Sequence, residues 1–173
     1  FYYLWVLLAQ LGLQPGPLIY PFPPAAHSSR ERSSILIHPG SGSPRKNWPL
    51  ANWLRLAREL PVRPVFILGE AEVTRWDAQG VSTAGVPTLR DKTLEDLIAE
   101  LAGCRLFLGH DSGISHLAAA CGVPSVLLFG PTDPAMWAPP APHVTVIRRG
   151  PSLAEISLAD VQTALRPLPA VRK

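Results

Sequence analysis

The 173-residue chain holds little cysteine: Cys104 and Cys121 lie in apolar helical or pre-strand contexts without metal-ligand spacing. That excludes a disulfide framework and a cysteine metal knuckle, and reads as two reduced core thiols. Charge is also sparse, at 17% of residues with a net charge of +3, and the 16 Lys and Arg are scattered and form no stripe. This argues against nucleic acid as a partner, while suiting a small phosphate-bearing ligand. Long apolar runs are missing too. The opening "FYYLWVLLAQLGL" falls short of the ~20 residues a membrane span needs, and it has neither the basic flank nor the cleavage site of a signal peptide. It reads as a packed helix, with more apolar surface (Phe1, Tyr2, Leu4, Trp5, Leu8, Leu11) than one helix side normally exposes, so it is expected to meet another domain or a partner. The first residue is Phe1, not Met, and further sequence is expected upstream.

What is present is a globular composition, 47% hydrophobic, in an alternating order. After the first helix, "QPGPLIYPFPPAAHSSRERSS" is too rich in proline and small polar residues for regular structure. From Ser34 onward, apolar strands alternate with amphipathic helices: "SILIH", "LANWLRLAREL", "PVFILG", a helical stretch from about Ala71, a weak strand near Val81 to Val86, "TLEDLIAELAG", "RLFLGH", "ISHLAAACG", "SVLLFG", "VTVIR" and "SLADVQTAL". Trp53, Leu56, Ala57 and Leu60 share one helix face, and Thr93 with Asp96 has capping-box spacing. Continuous apolar strands between helices predict an α/β, doubly wound parallel sheet covered on both faces. The expected divisions are a helix and Pro-rich connector over 1–33, the α/β body over 34–150, and a closing helix and tail over 151–173.

In such sheets ligands lie beyond the C-terminal strand ends, which singles out the loops His38 to Lys46, Gly69 to Glu72, Leu89 to Thr93, His110 to Ser115 and Gly130 to Trp137. "GHDSGISH" packs His110, Asp111, Ser112 and His116 into a few residues, yet it is one residue out of register for a G-x-S-x-G nucleophile elbow. His110 and His116 also lack the i, i+4 spacing of a helical metal pair. An anion cradle fits without special assumptions: Asp111-Ser112-Gly113 sits where a strand turns into a helix, whose first N–H groups are unpaired and carry the positive end of the dipole. A plain N-cap would explain Asp111 or Ser112 alone. "HPGSGSPRKNWP" is a second such loop, with Ser41, Gly42 and Ser43 freeing donors and Arg45 and Lys46 supplying charge. It matches neither the Walker A nor the G-x-G-x-x-G spacing, and a generic polar loop is the plain alternative.

In order and spacing, "HPGSGSPRKNWP", "FILGEAE" and "LAGCRLFLGHDSGISHLAAACGVPSVLLFGPTDP" resemble the C-terminal half of family 9 glycosyltransferases, the ADP-heptose:lipopolysaccharide heptosyltransferases. The likeness runs from about Ser34 to Arg148. It implies the Rossmann-like, nucleotide-sugar-binding domain of a GT-B enzyme, with residues 1–33 as the inter-domain helix and linker and the final helix as the family's C-terminal one. Carried over by position, it puts Ser41, Gly42, Ser43 and Lys46 on the donor diphosphate, Lys46 also near the sugar, and Glu72 on the ribose, with Glu70 as an adjacent rival. The backbone around Lys92 would meet adenine, Asp111 would hold sugar hydroxyls, Ser112 and Gly113 would offer N–H groups to the diphosphate, and His116 would support that loop.

The reaction so implied is inverting transfer of heptose from ADP-heptose to a lipopolysaccharide-core acceptor, with no metal and no cofactor. Lys46 would stabilise the leaving group, and the general base would lie in an N-terminal acceptor domain outside this chain. The implied location is the cytoplasm, with peripheral association of the intact enzyme at the inner face of the bacterial inner membrane. "GSGSPRK" differs in length and content from several family members, which bears on sugar identity. Two other readings stay open: a stand-alone or degenerate nucleotide-binding module without turnover, and the donor domain of another GT-B nucleotide-sugar enzyme.

Overall fold

The protein is described here by a computed structural model covering residues 34–69, 72–74, 83 and 85–168. The expected N-terminal helix and connector, and Glu70, lie outside the described residues. Six parallel strands form one sheet: β1 (Ser34–Ile37), β2 (Val65–Leu68), β3 (Thr88–Arg90), β4 (Cys104–His110), β5 (Ser125–Phe129) and β6 (Val144–Arg148), in the order β3-β2-β1-β4-β5-β6. The order reverses between β1 and β4, where Leu36 and Ile37 pair with Phe107 and Leu108. The helices are α1 (Leu50–Glu59), α2 (Leu94–Gly103), α3 (Gly113–Ala120), the short α4 (Pro134–Trp137) and α5 (Leu158–Leu165). Single 3-10 turns lie at Pro44–Lys46 and Leu153–Glu155, and residues 72–74 are helical.

Strand side chains alternate between two cores, as a period of two requires. Ile35, Ile37, Phe66, Leu68, Leu106, Leu108, Val126 and Leu128 face α1 and α5, where Trp53, Leu56, Val161 and Leu165 meet them. Leu36, Ile67, Phe107 and Leu127 face the other way, onto Leu97, Leu101 and Ala118 of α2 and α3. Both faces are covered, as the unbroken apolar strands predict. Ala118 and Ala119 are buried and seat α3 tightly against the sheet. On α1 the expected stripe of Trp53, Leu56 and Ala57 is buried, and Leu60, the C-cap residue, is partly buried and packs against the same core. Thr93 accepts the Asp96 N–H as expected, and Ser157 with Asp160 completes a reciprocal capping box on α5.

One element differs from expectation. Most of the weak strand expected near Val81 to Val86 lies outside the described residues; Thr83, Gly85 and Val86 are not in a strand, and the strand that pairs with β2 is β3, Thr88–Arg90. Gly85 turns at φ 78, and Val86 and Pro87 lead into the strand, with the Phe66 N–H donating to the Pro87 carbonyl. The "TLR" run is too short and too polar to show a period, so tertiary pairing with β2 decides its place.

Candidate functional site

The chain leaves β1 at His38 and β4 at His110, so the loops that follow face each other across the point where strand order reverses. A crevice opens there because the two flanking connections run to opposite sides of the sheet. Between its walls runs an ion pair: Lys46 Nζ lies 2.7 Å from Asp111 Oδ2, with the lysine side chain 32% exposed and the aspartate 9%. Residues 65 apart in sequence are thus brought together, one at the end of a 3-10 turn and one just before α3. Exposed on one side only, the pair sets a cation at the mouth of the crevice and a carboxylate at its wall.

The β1 loop is fixed from below. Trp48 is buried; its indole N–H donates to the Ile156 carbonyl at 2.8 Å and its ring meets Trp53 edge-on at 4.9 Å between centroids. Trp53 in turn meets the His110 ring at 5.3 Å. His110 Nε2 accepts the backbone N–H of Trp48 at 2.9 Å, so Nδ1 carries the proton and points at the Gly40 carbonyl, 3.4 Å away. One neutral imidazole therefore ties both ends of the loop to β4. Burial pushes its pKa down to about 3, against the opposing pull of the Gly40 carbonyl. Within the loop the Ser41 hydroxyl is turned inward, donating to Asn47 Oδ1 at 2.6 Å and lying 2.8 Å from the Ser43 carbonyl. Ser41 is buried, whereas Gly42 is exposed and Ser43 half-buried at the loop's surface.

Glu72 is 3% exposed and accepts the Gly69 N–H at 3.1 Å. Its carboxylate packs into the place a side chain at Gly40 would occupy. Burial raises its pKa, but the facing His38 ring and its backbone hydrogen bonds outweigh that and hold it below the ordinary carboxylate value. Lys92 is exposed in the turn after β3, where Asp91 adopts φ 51. It stands away from the Lys46–Asp111 pair, across β1 and β2, at the end of the sheet's edge strand.

Ser112 is the N-cap residue of α3, and Gly113, exposed, is its first residue. Neither Asp111 nor Ser112 is a plain side-chain cap: Asp111 is paired with Lys46, and the Ser112 hydroxyl makes no capping hydrogen bond. The N–H groups of Gly113 and Ile114, the first of α3, thus have no side-chain cap and no partner in their own helix at the edge of the crevice. His116, one turn on, is half-buried; burial lowers its pKa, while the Asp111 charge and a hydrogen bond to the Trp137 backbone oppose that. It links the Asp111 loop to α4. Among the described residues no cluster of three or more His, Cys, Asp or Glu is arranged to hold a metal ion, and no helix is long and apolar enough to cross a membrane.

The structure therefore joins Lys46, Asp111, Ser112 and Gly113 at one crevice, with His116 behind them, and sets Glu72 and Lys92 along the strand ends to one side. Sequence reasoning placed His38 and His110 at the starts of candidate loops but gave neither a role in the site. The signal available for both was their place at the C-terminal ends of the two strands that flank the switch point, His38 just after β1 and His110 the last residue of β4.

The chain matches the family model described as glycosyltransferase family 9 (heptosyltransferase) over residues 20–162. Lipopolysaccharide heptosyltransferase 1 of Pseudomonas aeruginosa is 38% identical over 106 residues, covering 58% of this chain and 29% of that protein. Lipopolysaccharide heptosyltransferase 2 of Escherichia coli is 28% identical over 130 residues, covering 69% of this chain and 37% of that protein. Among solved structures, the E. coli heptosyltransferase WaaC with ADP superposes with a TM-score of 0.71 at 25% identity, over 80% of this chain and 45% of that one. The chain thus spans less than half the length of each of these relatives.

Proposed function

The chain belongs to glycosyltransferase family 9, and on that premise we propose that it binds ADP-heptose as the donor half of an inverting transferase acting on the lipopolysaccharide core. The observation that carries this reading is the convergence of the Lys46–Asp111 pair and the open N-terminus of α3 at the sheet's switch point. A diphosphate needs several N–H donors and a cation in one place, and a helix N-terminus beside a lysine provides both.

In this assignment Gly42, Ser43 and Lys46 meet the diphosphate from the β1 side and Ser112 and Gly113 from the β4 side, while Ser41 braces its own loop. Asp111, already aligned by Lys46, turns its free oxygen to sugar hydroxyls. Glu72 faces the ribose from the end of β2, the backbone about Lys92 meets adenine from the end of β3, and His116 holds the Asp111 loop. As the anomeric bond breaks, negative charge grows on the departing ADP, and Lys46 with the α3 N–H groups stabilises it most where that charge is largest. The acceptor's proton is removed by a base in the N-terminal domain, and the intact enzyme works at the cytoplasmic face of the inner membrane.

The test is binding selectivity followed by transfer. Calorimetry with ADP, UDP and ADP-heptose should show ADP bound more tightly than UDP, and supplying the acceptor domain should give heptose transfer. Preference for UDP would assign the fold to another nucleotide-sugar enzyme. ADP binding without transfer in the complete enzyme would leave a nucleotide-binding module.

A further inference from the structure

His38, the first residue after β1, is 3% exposed and lies between two groups of the site. Its Nδ1 is 3.3 Å from Ser112 Oγ, and its Nε2, 3.8 Å from Glu72 Oε2, has no hydrogen-bond partner. A serine, a histidine and a glutamate so aligned look like a nucleophile with its base, but the protons run the wrong way. The Ser115 hydroxyl donates to the His110 carbonyl, which can only accept. Ser115 Oγ therefore receives its 3.1 Å bond from the Ser112 hydroxyl, whose proton is thereby committed. Ser112 Oγ can then only accept from His38, so Nδ1 carries a proton whatever the state of Nε2. His38 is a donor to Ser112, not its base.

The consequence lies at α3. Thr93, Ser152 and Ser157 each turn their hydroxyl onto the N–H groups of the helix or turn they precede. Ser112 occupies the same kind of position with extended backbone (φ -151, ψ 161) and does not. We propose that His38 is a positioning residue: by donating to Ser112 Oγ it holds that hydroxyl off the N-terminus of α3 and keeps the helix's first N–H groups open for the donor diphosphate. This rests on the functional reading above in its ligand, but not in its geometry. Freed from His38, Ser112 would cap its own helix as its chemistry favours, and a bound phosphate would have to displace that bond.

The experiment compares the intact protein with His38→Phe, His38→Asn and His38→Phe/Ser112→Ala, reading ADP affinity by calorimetry and Ile114 amide exchange by NMR without ligand. His38→Phe should weaken ADP binding about five-fold, the equivalent of one capping bond, and slow Ile114 exchange by a similar factor. His38→Asn, whose amide N–H falls near the place of Nδ1–H, should stay within about two-fold of the parent in both. Adding Ser112→Ala to His38→Phe should strengthen ADP binding again, because the competing hydroxyl is gone; a merely damaged fold would not recover. Unchanged Ile114 exchange in His38→Phe, or a double variant no tighter than His38→Phe, overturns the proposal. If the parent binds no ADP, the functional reading fails, and the exchange rates still decide the role of His38.

Discussion

His110 shows at the scale of one residue how a side chain outside the ligand's reach sets the site. It is buried, with Nε2 taking the Trp48 N–H and Nδ1 facing the Gly40 carbonyl. The folded protein keeps the ring neutral down to a pKa of about 3, whereas the unfolded chain takes up the proton near 6.5. The unfolded state therefore binds more protons between those values. This contribution to stability is complete above pH 6.5 and falls by about 1.4 kcal/mol for each pH unit below it. Urea unfolding at pH 7 and pH 5 should show the loss in the parent protein and a flatter profile in His110→Gln; equal slopes would contradict the assignment. None of this was legible in "GHDSGISH", because the residues that bury and bond His110, Trp48, Trp53 and Gly40, come from a segment more than fifty positions away. Lys46 and Asp111 were legible as residues of strand-end loops, but their pairing was not, for the same reason.

Elements were legible where local chemistry is strong. α2 and α5 start where Thr93 and Ser157 offer caps, and α1 turns the face that carries Trp53 to the core. β3 was not foreseen because three residues against an edge carry too little pattern. α3 matters most to the proposed function, since its small residues let its N-terminus sit over the end of β4. Ala118 has no exposed surface. Ala118→Leu should force α3 off the sheet, at about 1–3 kcal/mol of stability, and should weaken ADP binding by moving the N–H groups of Gly113 and Ile114. A variant that loses stability but keeps its ADP affinity would show that the helix end is not where the diphosphate lies.

At the scale of the whole molecule, the strand order concentrates the chemistry. Parallel strands aim every βα loop at one edge, and the reversal between β1 and β4 parts two of those loops around a crevice. The class of fold and the loops at the C-terminal strand ends followed from unbroken apolar strands alternating with helices, while the strand order itself, set by long-range pairing, did not. The central claim is that this crevice holds a diphosphate by the Lys46 charge and the α3 N–H groups together. The direct measurement is the ADP affinity of Lys46→Ala beside the parent, by calorimetry at constant salt. Losing a charged hydrogen bond of about 1.5–3 kcal/mol should weaken binding roughly 10- to 150-fold. Equal affinity in the two proteins would contradict the account.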